Sequence, residues 1–305
     1  MNEYLAFLTG VVCAGFGGEL FVRGSVGLAH WARISPGIIG ATVVAFATSS
    51  PELSVSVNSA LAGKPQITLG DALGSNVVNV ALILAIALLI SSIFSSRDSI
   101  KRDFPVAMAV PVILIVLSID GMISRLDGFL MMSLFFSWLV LTILEARNQR
   151  RLSDQLLNEE LKIGIVVFNC LVGLIFLVVA GKLIVSGASG IATSFGITEF
   201  IIGATIVAVG TSVPELATTV IAKLRGHDDV SLGTILGSNI FNGLFIVAVA
   251  AIIHPINVIW DDIAIALVFG LFAVVLTYPA DDGLIERSRG IYLLALYCVY
   301  LAVVI

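Results

Sequence analysis

The sequence predicts an all-α polytopic membrane protein, with ten transmembrane helices arranged as two inverted five-helix repeats. Three observations carry that prediction. Of the 305 residues, 58% are apolar and only 12% charged, with mean hydropathy +1.09; a soluble domain has about 25% charged residues. Ten stretches have roughly the 20 mostly apolar residues that a spanning helix needs. A segment also occurs twice: GATVVAFATSSPEL, Gly40 to Leu53, returns as GATIVAVGTSVPEL, Gly203 to Leu216. Each copy is followed at the same distance by LGSNxxN, Leu73 to Asn79 and Leu236 to Asn242. The offset is 163 throughout, and residues 40–82 and 203–245 agree at 20 of 43 positions, the kind of internal repeat that decides an architecture.

The spans are expected at about 3–30, 37–62, 68–93, 104–120, 126–146, 161–192, 199–223, 230–253, 262–279 and 288–305. The first opens on MNEYLAFLTG, which lacks a basic region before its apolar run and reads as a membrane helix rather than a cleavable leader. The second and third hold the first copy of the repeated core. The fourth and fifth complete a first unit, residues 1–146. A polar connector, 147–160, with NQRRLSDQLLNEE in its body, divides five helices from five. The sixth span begins the second unit, residues 161–305, and answers the first: Gly24, Gly27 and Ala29 return as Gly187, Gly190 and Ala192. The seventh and eighth hold the second core; the ninth and tenth close the chain. An odd number of helices per copy makes the copies enter the membrane in opposite directions, a recurrent plan of secondary transporters.

Charge orients the bundle. Loops 1–2, 3–4, 5–6, 7–8 and 9–10, named by the spans they join, hold Arg33, Arg97, Lys101, Arg102, Arg147, Arg150, Arg151, Lys162, Lys223, Arg225, Arg287 and Arg289. The opposite loops hold Lys64 and Arg125. By the positive-inside rule the first set is cytoplasmic, so a multi-pass protein of the cell membrane with both termini extracellular is expected. Only Arg23 and Lys182 are expected within helices. Cys13, Cys170 and Cys298 fall in apolar segments without metal or disulfide spacing and read as packed thiols. His30, His227 and His254 lie at expected helix ends, which argues against a histidine-based metal or nucleophile site.

Each core carries a glutamate far from either end of its span, where a carboxylate is costly and marks function. Thr48 and Glu52 are four apart and share a helix face. Pro51 has no N–H, so it removes the bond to the carbonyl of Ala47 and kinks the helix. Carbonyls near 45–48 are thereby left seeking partners, which in lipid means a cavity or a cation. Thr211, Pro214 and Glu215 repeat this, releasing Gly210; Ser49 and Ser212 add hydroxyls. On the next span of each copy, Ser75 with Asn79 and Ser238 with Asn242 share a face, and Gly70, Gly74, Gly233 and Gly237 allow close helix approach. Hydroxyls, amide oxygens, carbonyls and two carboxylates make an all-oxygen set, suited to Ca²⁺ or Na⁺ rather than zinc or copper. The competing structural readings are snorkelling or an ion pair for the glutamates, and plain helix packing for the Gly/Ser/Asn pattern. The depth of Glu52 and Glu215 and their matched recurrence favour ion coordination. Glu19, four residues from Arg23, reads as a structural ion pair.

These motifs resemble the two alpha repeats of the cation/Ca²⁺ exchanger superfamily, most nearly its prokaryotic sodium/calcium exchanger branch. The paired G-T-S-x-P-E and G-S-N-x-x-N motifs carry the resemblance over 40–82 and 203–245. It implies ten helices, with the second, third, seventh and eighth forming the site and the first and sixth sliding across it. It implies that Glu52 and Glu215 bind Ca²⁺ and, in exchange, Na⁺, and that Thr48 and Thr211 contribute backbone carbonyls. It implies that Ser49, Ser212, Ser75 and Ser238, with the carbonyls of Ala45 and Ala208, complete flanking Na⁺ sites, while Asn79 and Asn242 line the centre. Three positions depart from the pattern: Ala47 stands for the usual glycine, Asp71 and Thr234 for a common asparagine, and Asn242 for the aspartate of several relatives. An amide at 242 argues against K⁺ co-transport.

The function expected is Na⁺/Ca²⁺ antiport by alternating access, directed to Ca²⁺ export. The transported ions are Ca²⁺ and Na⁺; no cofactor, nucleic acid or protein partner is implied beyond inorganic cations and the lipid bilayer. H⁺/Ca²⁺ exchange on the same glutamates is the alternative; the surrounding hydroxyls favour Na⁺, since a proton needs no such cage. A Ca²⁺ channel is a further reading, one that single-channel currents would establish. An enzyme is not expected, because Ser49 or Ser212 as nucleophile has no histidine base within the cores.

Overall fold

A computed structural model describes residues 2–153, 163–195 and 208–304. Helix α1, Glu3–Ala32, is capped by the Asn2 side chain, which accepts from the Tyr4 N–H, and ends at Arg33 in the left-handed region. Ser35 caps α2, Pro36–Thr48, with Pro36 in its first turn where a missing N–H costs nothing. After a break at Ser49, α3 runs Ser50–Leu61, bent by 46° from α2. Then come α4 (Gln66–Ile90), α5 (Arg97–Leu117), α6 (Arg125–Ser153) and α7 (Ile163–Ser194). The second core gives α8 (Ala208–Thr211), α9 (Val213–Leu224) and α10 (Asp228–Ile253). The chain closes with α11 (Trp260–Leu276) and α12 (Ser288–Val304).

The protein is thus mostly helical. Among the described residues, α1, α4, α6, α7 and α10 are long and apolar enough to cross a membrane, and the bent α2–α3 pair makes a sixth such segment. The apolar part of α11 and all of α12 are shorter.

Two expected boundaries move. Helix α5 starts at Arg97 rather than near 104, because Ser96 caps it by accepting from the Ser99 N–H. Arg97, Lys101 and Arg102 are therefore helical rather than in a loop. Arg102 is half-buried, held by Asp103 at 2.7 Å and by Glu145 of α6 at 2.5 Å, and Trp138 Nε1 donates to Asp103 at 3.1 Å. Helix α6 runs through Arg147 to Ser153, so the connector begins as helix. Residues 154–160 of the connector, Lys162 and the start of the seventh span at 199–207 lie outside the described residues. Lys223 falls inside α9 rather than in a loop, its ammonium donating to Asp228 and to the Ser92 carbonyl.

The core centres on α4 and α10, which are buried almost all round, whereas α1, α6 and α7 leave most of their apolar surface outward. The histidines sit at helix ends, as expected. Cys13 and Cys170 are half-buried, but Cys298 is exposed rather than packed.

Helices α1 and α7 are packed together and antiparallel. Gly24 lies against Cys170, Gly17 against Gly173, and Gly10 against Ile184. A side chain at Gly173 would place its Cβ 2.6 Å from the Phe21 nitrogen, so glycine is what lets these helices touch. Four two-residue strands, β1 (Ile93–Phe94), β2 (Met122–Ile123), β3 (Ile256–Asn257) and β4 (Leu284–Ile285), pair antiparallel as β1 with β4 and β2 with β3.

Candidate ion-binding site

Both core helices break at the same point. Ser49 and Ser212 share the backbone conformation φ −86°, ψ 11°, and Pro51 and Pro214 sit in the first turn of the helix that follows. Glu52 and Glu215 consequently occupy the first turns of α3 and α9, not mid-helix positions as the spans alone suggested. The positive end of a helix dipole favours a carboxylate there. Across each break, the carbonyl end of α2 or α8 presents partial negative charge. A cation at the break is attracted by those carbonyl ends and by the two carboxylates, which the N-termini of α3 and α9 in turn stabilise.

The two breaks meet. Ser49 Oγ donates to Glu215 Oε1 at 2.9 Å across 166 residues of sequence. Thr48, Ser49, Glu52, Ser212 and Glu215 are all buried, each glutamate 1% exposed. Ser75 and Asn79 of α4 and Ser238 and Asn242 of α10 are equally buried. Asn79 and Asn242 lie at the start of wide turns, Val78–Leu84 and Phe241–Ile246, in which the helix adopts the looser π spacing. Such turns recur at functional sites.

A polar seam joins the copies. Asn76 Nδ2 donates to the Asn239 carbonyl and Asn239 Nδ2 to the Asn76 carbonyl, each at 3.1 Å. Asn79 Nδ2 donates to Asn239 Oδ1 at 3.1 Å, and Asn242 Nδ2 to Asn76 Oδ1 at 3.2 Å. Every bond maps onto its partner at the 163-residue offset. Asn76 and Asn239 were not singled out from sequence; they are the N of each GSN, three residues before the asparagine that was.

The seam fixes the amide nitrogens of Asn79 and Asn242, and their oxygens remain. Asn79 Oδ1, Asn242 Oδ1, Glu52 Oε2 and Glu215 Oε2 are buried acceptors without a hydrogen-bond donor, as are the hydroxyls of Ser212 and Ser238. Leaving such a group unsatisfied costs about 1–3 kcal/mol. Carboxylate and amide oxygens can only accept, so a set of them turned inward calls for a cation or water. Among the described residues no three His, Cys, Asp or Glu side chains converge. Two carboxylates with neutral oxygens are the chemistry present.

Not every carbonyl expected to be released is open. The Ala47 carbonyl accepts from Ser50 Oγ at 2.8 Å, a local repair the proline argument missed. The Ala45 carbonyl accepts from the Ser49 N–H at 3.0 Å and from Thr48 Oγ1 at 3.3 Å. In the second copy Val213 stands where Ser50 stands in the first, so no such hydroxyl covers Gly210. Thr211 is half-buried where Thr48 is fully buried. Ala208 opens the described part of α8.

Thr211 also lines a cavity of about 610 Å³ beside the breaks, with Ser50, Pro51, Ser54, Gly210, Pro214 and residues of α7 including Lys182. Neither in-helix cation pairs with a site glutamate. Arg23 binds Glu19 at 2.5 Å, as expected, and Arg225 adds a second grip on Glu19 at 2.6 Å. Lys182 has no ion-pair partner among the described residues.

The chain as a whole is similar to known proteins. The profile of the family described as sodium/calcium exchanger protein matches residues 3–144 and 165–305. The CaxA protein of Alkalimonas amylolytica is 38% identical over 255 residues, covering 81% of this chain and 80% of its own. The sodium/calcium exchanger MaX1 of Methanosarcina acetivorans is 27% identical over 99% of this chain and 98% of its own. A solved structure of the sodium-calcium exchanger NCX_Mj, soaked with Na⁺ and Ca²⁺, superposes with a TM-score of 0.84 at 30% identity, covering 99% of both chains.

Proposed function

The chain belongs to the sodium/calcium exchanger protein family, and we propose that it exchanges Na⁺ for Ca²⁺ across the cell membrane, in the direction of Ca²⁺ export. The observation that carries this reading is the pair of buried glutamates, brought together at two matched helix breaks, with their outer oxygens and those of Asn79 and Asn242 lacking any donor. Glu52 and Glu215 supply two negative charges, enough to balance one Ca²⁺. The carbonyls of Thr48 and Thr211 complete its shell. Ser49, Ser212, Ser75 and Ser238, with the carbonyls of Ala45 and Ala208, form the flanking Na⁺ positions. Na⁺ occupies the same carboxylates, so each ion displaces the other, and one site opened alternately to the two sides yields exchange.

Ten spanning helices divide into units 1–146 and 161–305 of opposite orientation, joined by the cytoplasmic connector 147–160, with both termini outside. Three relations support the inversion. Helices α1 and α7, counterparts at the 163-residue offset, run antiparallel in contact. Strand β1 pairs with β4 and not with its own counterpart β3. The four asparagines bond reciprocally across the seam.

The test is ⁴⁵Ca²⁺ uptake into proteoliposomes under separate outward Na⁺, K⁺ and H⁺ gradients. Uptake driven by Na⁺ alone is expected. Uptake driven by a pH gradient without Na⁺ would transfer the reading to H⁺/Ca²⁺ exchange.

A further inference from the structure

Lys182 is the twentieth residue of the 32-residue helix α7, deep in an apolar span, and its side chain is exposed. An ammonium facing hydrocarbon at that depth is costly, so such residues face protein or water-filled cavities. The cavity of about 610 Å³ beside the helix breaks gives the ammonium a mixed lining that includes hydroxyl groups. The hydroxyl residues Ser50, Ser54, Ser186 and Thr211 line it together with Lys182. Ser50 and Pro51 adjoin Glu52 in sequence, and Pro214 adjoins Glu215. The cavity therefore abuts both glutamate-bearing turns.

The offset of 163 residues pairs Lys182 with Glu19, a charge of opposite sign at the equivalent point of α1. The two fare differently. Glu19 is engaged by Arg23 and by both Nε and a terminal nitrogen of Arg225. Lys182 meets no carboxylate within ion-pair distance among the described residues. The cations on the α1 side thus share a carboxylate, whereas the ammonium on the α7 side faces the cavity without one among the described residues.

We propose that Lys182 is a selectivity-determining residue of this cavity, weakening the binding of Ca²⁺ more than that of each Na⁺. A fixed charge acts on an ion in proportion to that ion's own charge. Whatever factor it imposes on each Na⁺ is squared for Ca²⁺, so the half-saturating Ca²⁺ concentration is raised more than the half-saturating Na⁺ concentration. The inference rests on the shared-site reading above.

The experiment measures half-saturating Ca²⁺ and Na⁺ concentrations for exchange in proteoliposomes of wild type, Lys182→Gln, Lys182→Met and Lys182→Arg. For a separation on the order of 10 Å in a water-like dielectric, removing the unit charge should lower the Na⁺ value about twofold and the Ca²⁺ value about fourfold. Lys182→Arg should match wild type, and added choline chloride should shrink the difference through screening. The two neutral variants differ in polarity and shape, so a folding defect in one leaves the other to decide. An unchanged Ca²⁺ value in a folded neutral variant, or equal shifts for both ions, would overturn the role of Lys182 while leaving exchange intact. Wild type without Na⁺-driven uptake would overturn the exchange reading itself, and this inference with it.

Discussion

Glu52 and Glu215 are buried side chains whose neighbours are hydroxyls and amides rather than bases. Each supplies a negative charge, and among the described residues no basic side chain pairs with either carboxylate. Glu52→Gln or Glu215→Gln keeps the shape and removes that charge. Losing a charged ligand costs about 3 kcal/mol, so Ca²⁺ uptake should fall about a hundredfold in either variant while the protein still purifies folded. Wild-type uptake in one of them would remove that residue from the site. The seam makes a second claim at this scale. Asn76→Ala strips the acceptor from Asn242 Nδ2, and Asn239→Ala strips it from Asn79 Nδ2. Each amide then turns without restraint, and Ca²⁺ affinity measured by calorimetry should weaken about tenfold in both variants, the cost of one lost hydrogen bond. Unchanged affinity would make the seam purely structural.

At the scale of elements, the broken helices and the glycine contact do different work. The breaks follow from Pro51 and Pro214 and were legible in the sequence, as were the two glutamates and the shared faces of Ser75 with Asn79 and Ser238 with Asn242. Local chemistry at i, i+3 and i+4 dictates them. What the sequence left out needed the third dimension. Proline frees the Ala47 carbonyl, but only the rotamer of Ser50 closes it again. Asn76 and Asn239 matter because α4 meets α10, and Arg225 reaches Glu19 from 206 residues away. Helix α5 starts early at the Ser96 cap, and the contact that sequence could not show is Arg102 tying α5 to α6 through Glu145. Where α1 crosses α7, Gly173 faces the backbone of Phe21 and the Gly17 carbonyl, at 2.6 Å and 2.8 Å from an added Cβ. Gly173→Ala should force the helices apart at a cost of about 1–3 kcal/mol, read as a Tm lowered by several degrees in detergent. An unchanged Tm would mean the contact yields freely.

For the whole molecule, the account rests on inversion and on one site shared by two ions. Inversion places β1 and its counterpart β3 on opposite sides of the membrane, and β1 with β4 on the same side. With Cys13, Cys170 and Cys298 replaced, single cysteines at Phe94 and Leu284 should react with an impermeant maleimide from the cytoplasmic side, and one at Asn257 from the outside. Labelling of positions 94 and 257 from the same side would refute inverted repeats. The shared site is tested most directly by Ca²⁺ binding to the purified protein at a series of Na⁺ concentrations. The apparent Kd for Ca²⁺ should rise steeply and without limit as Na⁺ increases, and Glu215→Gln should weaken the binding about a hundredfold. A Ca²⁺ affinity indifferent to Na⁺ would contradict a common site built on Glu52 and Glu215.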